Sequence, residues 1–221
     1  MRRFFAASLL VLASWCGAQE RSLDKEVLVP ATIAEVWAAW TTREGITSFL
    51  APDAEIDARV GGAFHVHFDP LAAPGNKGAD DMRYMALQKP TMLSFDWNAP
   101  PHLPLARAQR SFVVVRLKDV DGKSTRVTLH HVGWGEGGEW EQAYAYFDRA
   151  WGNVLANLRK RFESGPIDWS EFNRILAGDG PCNRERLAAR RKAHADGAWV
   201  REAAAAHAAK RAQRRQTKAA E

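Results

Sequence analysis

Alternation of apolar and polar residues predicts a β-hairpin in the first third of the chain. Residues 54–60 and 63–68 both alternate, so each is expected to form a strand with one buried face. Gly61-Gly62 lies between them, and a two-residue hairpin turn of this kind requires positive φ, which glycine adopts without strain. The segment therefore predicts an antiparallel pair joined by a tight turn.

The same alternation predicts two more hairpins and a separate first strand. Lys89-Pro90-Thr91 and Asp121-Gly122 supply the turns of the two hairpins, since Pro, Asp and Gly favour turn conformations. Pro30 ends the first strand because proline cannot donate to a strand ladder. The predicted strands are 23–29, 82–88, 92–97, 111–118 and 125–132.

Three segments rich in Gly or Pro are predicted to be irregular. Residues 70–80 form a loop that we place over the open end of the sheet as a candidate lid. Residues 98–104 contain three prolines and predict another irregular connection. Residues 133–138 are rich in glycine and predict a hinge or ligand gate before the long helix.

Helical spacing predicts two short helices before the hairpins and one long helix after them. Thr32, followed three residues later by Glu35, has the pattern of a capping box, and residues 44–50 predict a second short helix. In the long helix, which begins at Glu139 and ends at Gly165-Pro166, apolar residues recur at steps of three and four. That stripe is Trp140, Tyr144, Phe147, Trp151, Leu155, Leu158 and Phe162. The order of elements predicts an α+β fold with an antiparallel sheet.

The first 18 residues have the pattern of an export signal. Met1-Arg2-Arg3 gives a basic start, residues 4–15 an apolar run, and Gly17-Ala18 a small-residue exit. We expect cleavage after Ala18 and a periplasmic or extracellular protein. The apolar run is too short for the roughly 20 residues that span a bilayer. Acylation at Cys16 is the alternative, although Trp15 is bulky for such a site.

The last 49 residues differ in composition from the rest. Residues 173–221 contain 12 Lys and Arg against 5 Asp and Glu, whereas residues 19–172 carry a net charge of −4. With little apolar bulk, this Ala-rich segment predicts a solvated helix or a disordered arm. Contact with an anionic envelope surface is the second interpretation. No nucleic acid is expected, because binding it would require aromatic stacking partners or a known module, and an exported protein rarely meets DNA. A single cysteine, Cys182, remains after cleavage, so no intramolecular disulfide is expected.

Short motifs in residues 23–163 resemble the START-like (SRPBCC) superfamily, within it the branch similar to the activator of the heat-shock protein 90 ATPase. The motifs are Val36-Trp37 with Trp40, Arg59-Val60-Gly61-Gly62-Ala63-Phe64, residues 89–97 (KPTMLSFDW), Arg126 to His131 with Gly133, and Trp151-Gly152-Asn153-Val154-Leu155. The resemblance implies a helix-grip fold, in which a curved antiparallel sheet wraps around a long C-terminal helix over a deep cavity. We therefore expect a START-like domain at 19–172. The superfamily includes ligand carriers, cyclases and co-chaperone modules, so fold does not decide function.

Strand periodicity and the helical stripe together predict an apolar, aromatic lining for the cavity. The alternative is that the same residues fill a solid core. The predicted ligand-binding residues are Phe64, Val66, Phe68, Phe95, Trp97, Val113, Val115, Leu129, His131, Tyr144, Phe147, Trp151 and Leu155.

Histidines are the candidates for polar chemistry. His131 is predicted to face inward, where it could orient a ligand or act as a general base, whereas His130 should face outward. His65, His67 and Asp69 share the opposite strand face; two imidazoles could ligate a metal, but no further ligand is identifiable, so no metal site is predicted.

The sequence analysis favours an exported, cofactor-free binder of a small hydrophobic or aromatic molecule. No nucleophile elbow, phosphate loop, zinc-type cysteine pair or dinucleotide fingerprint is present. The alternatives are an enzyme resembling polyketide cyclases and aromatases that uses His131, or a protein-interaction module of the co-chaperone kind.

Overall fold

The computed structural model of the protein describes residues 20–177. The predicted leader, Cys182 and the basic segment from residue 178 onward lie outside the described residues. In chain order the elements are β1 (Leu23–Val29), α1 (Ile33–Thr41), α2 (Arg43–Thr47), β2 (Asp53–Ile56), β3 (Phe64–His67), β4 (Gly78–Ala79), β5 (Tyr84–Gln88), β6 (Met92–Trp97), α3 (Pro104–Arg107), β7 (Ser111–Asp119), β8 (Thr125–Val132), α4 (Glu139–Ser164) and α5 (Ser170–Ala177).

The strands form two antiparallel sheets that meet along an edge. A five-stranded sheet has the order β1-β8-β7-β6-β5, and a three-stranded sheet has the order β2-β3-β4. The backbone joins them, because the amide of Gly61 donates to the carbonyl of Tyr84 at 2.7 Å and that of Phe64 donates to Met82 at 2.8 Å. The predicted hairpins β5–β6 and β7–β8 are both confirmed. The strands and α4 together give the predicted α+β helix-grip fold.

The first hairpin differs from its prediction at the turn. Asp53 lies opposite His67 and Ile56 opposite Phe64, so residues 57–63 connect the strands rather than Gly61-Gly62 alone. Only Gly61 of this pair has a positive φ, 77°. The strand was predicted too long because alternation continues through residues whose backbone bonds elsewhere: both Gly61 and Gly62 exchange hydrogen bonds with Tyr84 of β5.

Side-chain caps fix the two short helices near the start of the domain. The Glu35 amide donates to Thr32 Oγ1 at 3.4 Å, and the Thr32 amide donates to Glu35 Oε2 at 2.9 Å, which confirms the capping box. Thr42 caps α2 by accepting the amide of Gly45 at 2.9 Å. The second helix is shorter than predicted and is continued to Leu50 by turns.

The long helix α4 lies across the concave side of the five-stranded sheet. Its buried side chains include Phe147, Trp151, Leu155 and Leu158, members of the predicted apolar stripe. At the sheet edge, Asp148 pairs with Lys25 of β1 at 2.7 Å. None of the helices within residues 20–177 combines the length and apolar character that a bilayer crossing requires.

Aromatic rings fill the space under the middle of the sheet. Trp40 of α1 meets Phe49 edge-on, with ring centroids 5.1 Å apart, and packs against Phe95 at 6.3 Å. Phe95 in turn stacks on Phe64 at 4.1 Å. Because α1 and α2 place these rings beneath the strands, the central part of the layer is a solid core rather than a cavity.

Two glycines provide a matched test of this packing. A Cβ on Gly45 would lie 2.4 Å from the Ala38 carbonyl oxygen and 2.6 Å from Ala39 Cα, whereas a Cβ on Gly152 of α4 would meet nothing within 4 Å. We expect Gly45→Ala to lower the free energy of unfolding by about 2 kcal/mol or more, since backbone must move. Gly152→Ala should raise it by roughly 0.5–1 kcal/mol through helix propensity. Urea denaturation of both variants measures this, and equal effects would contradict the close α1–α2 contact.

Candidate ligand-binding site

A cavity of about 410 Å³ lies at one end of the layer between α4 and the sheets. Its walls come from the end of β6 and the segment after it, from the loop between β3 and β5, from the middle of α4, and from α5. The solid core described above closes its inner side. This position leaves the cavity surrounded mainly by connecting segments rather than by strands.

Aromatic side chains form most of the apolar wall. Trp97 at the end of β6 and Trp151 of α4 have ring centroids 5.4 Å apart, and Phe147 stacks on Trp151 at 6.0 Å. Three further rings complete this part of the wall: Phe68, Tyr146 and Phe172. Rings arranged around a cavity favour a flat apolar ligand, because each offers a large face without a desolvation cost.

Arg107 fastens the loop of residues 69–80 to the opposite wall. Its Nη2 donates to the carbonyls of Gly75 and Gly78, both at 2.7 Å, and its Nη1 donates to Ala99 at 2.6 Å. Asp80 is its nearest carboxylate, at 3.4 Å. Burial lowers the pKa of Arg107, whose side chain is only 12% exposed. The predicted candidate lid is thus one wall of the cavity, held by a buried guanidinium.

Glu139 holds the short helix that carries Arg107. This first residue of α4 is buried, and its Oε2 accepts the amides of Leu105 and Ala106 at 2.7 and 3.0 Å. These amides lie at the start of α3, where backbone donors lack helical partners. Through α3, the carboxylate at the start of α4 therefore fixes the position of Arg107 and of the loop that Arg107 binds.

His131 lies behind the aromatic wall, and both of its ring nitrogens are engaged. Trp151 Nε1 donates to His131 Nδ1 at 2.9 Å, so the ring proton is on Nε2, which lies 2.7 Å from Ser111 Oγ. Ser111 Oγ donates onward to the Trp97 carbonyl at 3.3 Å. The chain of bonds joins the two tryptophans of the cavity through a buried neutral imidazole.

Burial, with a smaller contribution from the nearby His130, lowers the pKa of His131 to about 3. The side chain is fully buried and does not border the cavity. An imidazole that stays neutral near pH 7 and has both nitrogens occupied cannot readily take a proton from a ligand. The arrangement suits a positioning role, in which His131 orients Trp151, better than a general base. His130 is exposed, as predicted.

Residues 30–163 match the sequence profile of the family described as activator of Hsp90 ATPase homolog 1-like protein. This region is more than half of the chain, and it contains the hairpins and all of α4 except its last residue. The protein belongs to this family. The match confirms the resemblance inferred from the motifs.

Solved structures share the fold of this chain. A protein of Mesorhizobium loti superposes with a TM-score of 0.53 at 19% identity, covering 66% of this chain and 100% of that one. The Aha1 dimer from Colwellia psychrerythraea gives a TM-score of 0.51 at 18% identity, covering 66% of this chain and 98% of that one. At these identities the likeness concerns the fold alone.

A different relative matches over a short segment. Forty-nine residues, 22% of this chain, are 59% identical to a subunit of the 1,2-phenylacetyl-CoA epoxidase from Escherichia coli (strain K12). The match spans only 16% of the length of that relative.

The cavity is lined by four of the thirteen residues that were predicted to bind a ligand. They are Phe68, Trp97, Phe147 and Trp151. The other nine pack in the core or at its margin, away from the cavity: Phe64, Val66, Phe95, Val113, Val115, Leu129, His131, Tyr144 and Leu155. Periodicity identifies an inward face but not the space beneath it, and α1 and α2 occupy the space under the middle of the sheet.

The last helix contributes a wall that lies beyond the family match. Phe172 and Leu176 of α5 border the cavity, and Trp169 Nε1 donates to the Thr47 carbonyl at 2.6 Å. The predicted domain end at residue 172 falls inside this helix. Trp169, Phe172 and Leu176 are spaced by three and four residues, so a helical pattern in the sequence could have revealed them.

No pattern in the sequence predicted the polar residues that line the cavity. Arg107, Asn98 and Lys77 come from the segments predicted to be irregular or from α3, which was not predicted. Asp69, predicted on the outward strand face, also borders the cavity, because β3 ends at His67 and the chain turns there.

The histidine pair on β3 is bonded to carboxylates of the neighbouring strand. His65 Nδ1 lies 3.2 Å from Glu55 and His67 Nδ1 lies 2.8 Å from Asp53. Residues 20–177 contain no group of three or more His, Cys, Asp or Glu side chains suited to a metal ion. The cross-strand pairs account for these histidines as part of the β2–β3 pairing.

The buried neutral state of His131 predicts a pH dependence of stability. Its folded pKa of about 3 is below the ordinary 6.5. The unfolded chain therefore binds the extra proton below pH 6.5, and stability is lost as the pH falls towards 3. We expect the free energy of unfolding of the wild type to fall by about 1 kcal/mol per pH unit more steeply than that of His131→Gln between pH 6 and 4. Urea unfolding at each pH measures this; parallel profiles would exclude a buried neutral imidazole.

Proposed function

We propose that this protein binds a small hydrophobic or aromatic molecule in the cavity between the sheets, α4 and α5, without transforming it. The observation that supports this most directly is the wall of aromatic rings around Trp97 and Trp151. A volume of about 410 Å³ lies within the range of roughly 300–1,000 Å³ typical of small-molecule sites. Apolar surface gives affinity here, and a few polar groups give orientation.

The polar groups at the cavity are few and come mostly from loops. They are Asp69, Asn76, Lys77, Asn98, His102, Arg107 and the phenol of Tyr146. Nothing in this set resembles a nucleophile held by a base, and the imidazole of His131 is separated from the cavity by Trp151. The arrangement therefore favours a binding protein over a cyclase-like enzyme that uses His131.

Export of the protein is part of the proposal and rests on the pattern of residues 1–18. Expression of the full chain in a Gram-negative host, followed by fractionation and N-terminal sequencing, tests it. A periplasmic product that begins at Gln19 is expected. A cytoplasmic product that retains Met1 would remove export from the proposal and leave the cavity as its basis.

Filling the cavity provides the test of binding. Ala150 of α4 borders the cavity, whereas Ala145 on the same helix is exposed and does not. The neutral fluorescent probe N-phenyl-1-naphthylamine is expected to bind the wild type and the control variant Ala145→Trp alike. Ala150→Trp should weaken its binding at least tenfold, because the indole occupies the same space.

Fluorescence titration with the probe measures both variants, and circular dichroism verifies that each is folded. Equal binding by wild type and Ala150→Trp would place the probe elsewhere and contradict the proposed site. Native mass spectrometry of the protein purified from its own cells then identifies the class of any natural ligand retained.

A further inference from the structure

The polar side chains at the cavity offer mainly hydrogen-bond donors. Lys77 and Arg107 can only donate, since neither an ammonium nor a guanidinium has an acceptor. Asn98 is buried, and its amide is assigned the orientation in which the oxygen accepts from Arg107 Nη1 at 3.1 Å and from Nη2 at 3.3 Å, because the opposite orientation would turn the amide N–H groups towards the guanidinium donors. With its oxygen occupied by the guanidinium, this amide can present only N–H groups to a ligand.

The three donors come from separate segments of the chain, which the contacts of Arg107 bring together. Arg107 binds the carbonyl of Gly78, which directly follows Lys77, and it contacts Asn98, which directly follows Trp97. The donor group therefore adjoins the aromatic wall. A ligand whose rings lie against Trp97 and Trp151 would have its polar end at these residues.

The two cations of this group, Arg107 and Lys77, are not equally available to a ligand. Arg107 is committed to three carbonyls and to Asp80, whose own oxygens accept the amides of Gly75 and Gly78. Lys77 is half-buried and forms no ion pair within residues 20–177. One carboxylate, Asp69, also borders the cavity, where its Oδ1 accepts the Leu71 amide at 3.2 Å. Lys77 is thus the cation able to meet a ligand.

We infer that the ligand is an aromatic molecule bearing a carboxylate, with its rings against Trp97 and Trp151 and its carboxylate at Lys77 and the amide of Asn98. This inference rests on the proposed binding function and specifies its ligand class. A carboxylate forms an ion pair with Lys77 and a charge-assisted hydrogen bond with the Asn98 amide. A neutral carbonyl forms no ion pair and only a neutral hydrogen bond with that amide, so the carboxylate gains more from this donor group. Asn76, His102 and Tyr146, whose side chains can donate or accept, complete the polar lining.

Two probes that differ only in charge test the inference. 2-Naphthoate and 2-naphthamide have the same ring system and nearly the same shape, but only the first is an anion. Calorimetric titration of the full-length protein should give a dissociation constant for 2-naphthoate at least tenfold lower than that for 2-naphthamide.

Variants at two lysines test whether the preference for the anionic probe arises in the cavity. Lys77→Met should weaken 2-naphthoate binding about tenfold and change 2-naphthamide binding less than twofold. Lys77→Arg should retain the preference for the anion. Lys123→Met, which alters an exposed lysine in the turn between β7 and β8, is the matched control and should bind both probes as the wild type does.

The outcomes separate this inference from the function on which it rests. Equal affinity of the wild type for both probes, or an unchanged preference in Lys77→Met, would overturn the carboxylate assignment while leaving an aromatic binding site. Absence of binding by either probe and by N-phenyl-1-naphthylamine would overturn both. If Lys123→Met lost the preference for 2-naphthoate as fully as Lys77→Met, the preference would reflect general electrostatic attraction to the protein. That result would also overturn the carboxylate assignment.

Discussion

The buried imidazole of His131 joins the elements on which the cavity depends. It accepts a hydrogen bond from Trp151 of α4 and bonds to Ser111 of β7, which in turn bonds to the carbonyl of Trp97 at the end of β6. A buried polar group is tolerated only when its hydrogen bonds are satisfied, so each partner has one permitted position. The two indoles that face the cavity are thereby held at a fixed separation.

The cavity begins where the closely packed aromatic core ends. Under the middle of the sheet, Trp40, Phe49, Phe64 and Phe95 interlock, and a closely packed core leaves no room for a ligand. Beyond Trp97 the chain leaves the sheet and continues as loops, which cannot fill the layer as densely. The space that remains is bounded by the rings at the end of the core.

Connecting segments form the remaining walls of the cavity. Hydrogen bonds from a small number of charged side chains hold these segments in place. Glu139 binds the start of α3, and Arg107 at the end of α3 binds the carbonyls of the 69–80 loop. α5 adds a wall beyond the region that defines the family. The common architecture of the fold therefore supplies the platform, whereas the segments around the opening decide what the cavity can bind.

By itself, the sequence determined seven of the eight strands in residues 20–177, the long helix, their order and the inward direction of His131, because period-two and helical spacing are local properties of a chain. The two-residue strand β4 lies in the segment 70–80, which was predicted to be irregular. The sequence also indicated the family through motifs such as residues 89–97. The first hairpin was predicted with too tight a turn, since Gly61 and Gly62 bond to Tyr84, a partner distant in sequence. Only the tertiary structure decided which inward residues meet a cavity, because that depends on the volume that α1 and α2 occupy. It alone brought Lys77, Asn98 and Arg107 together, since two separate loops and the short helix α3 meet there and no local pattern in the sequence records how such segments pack.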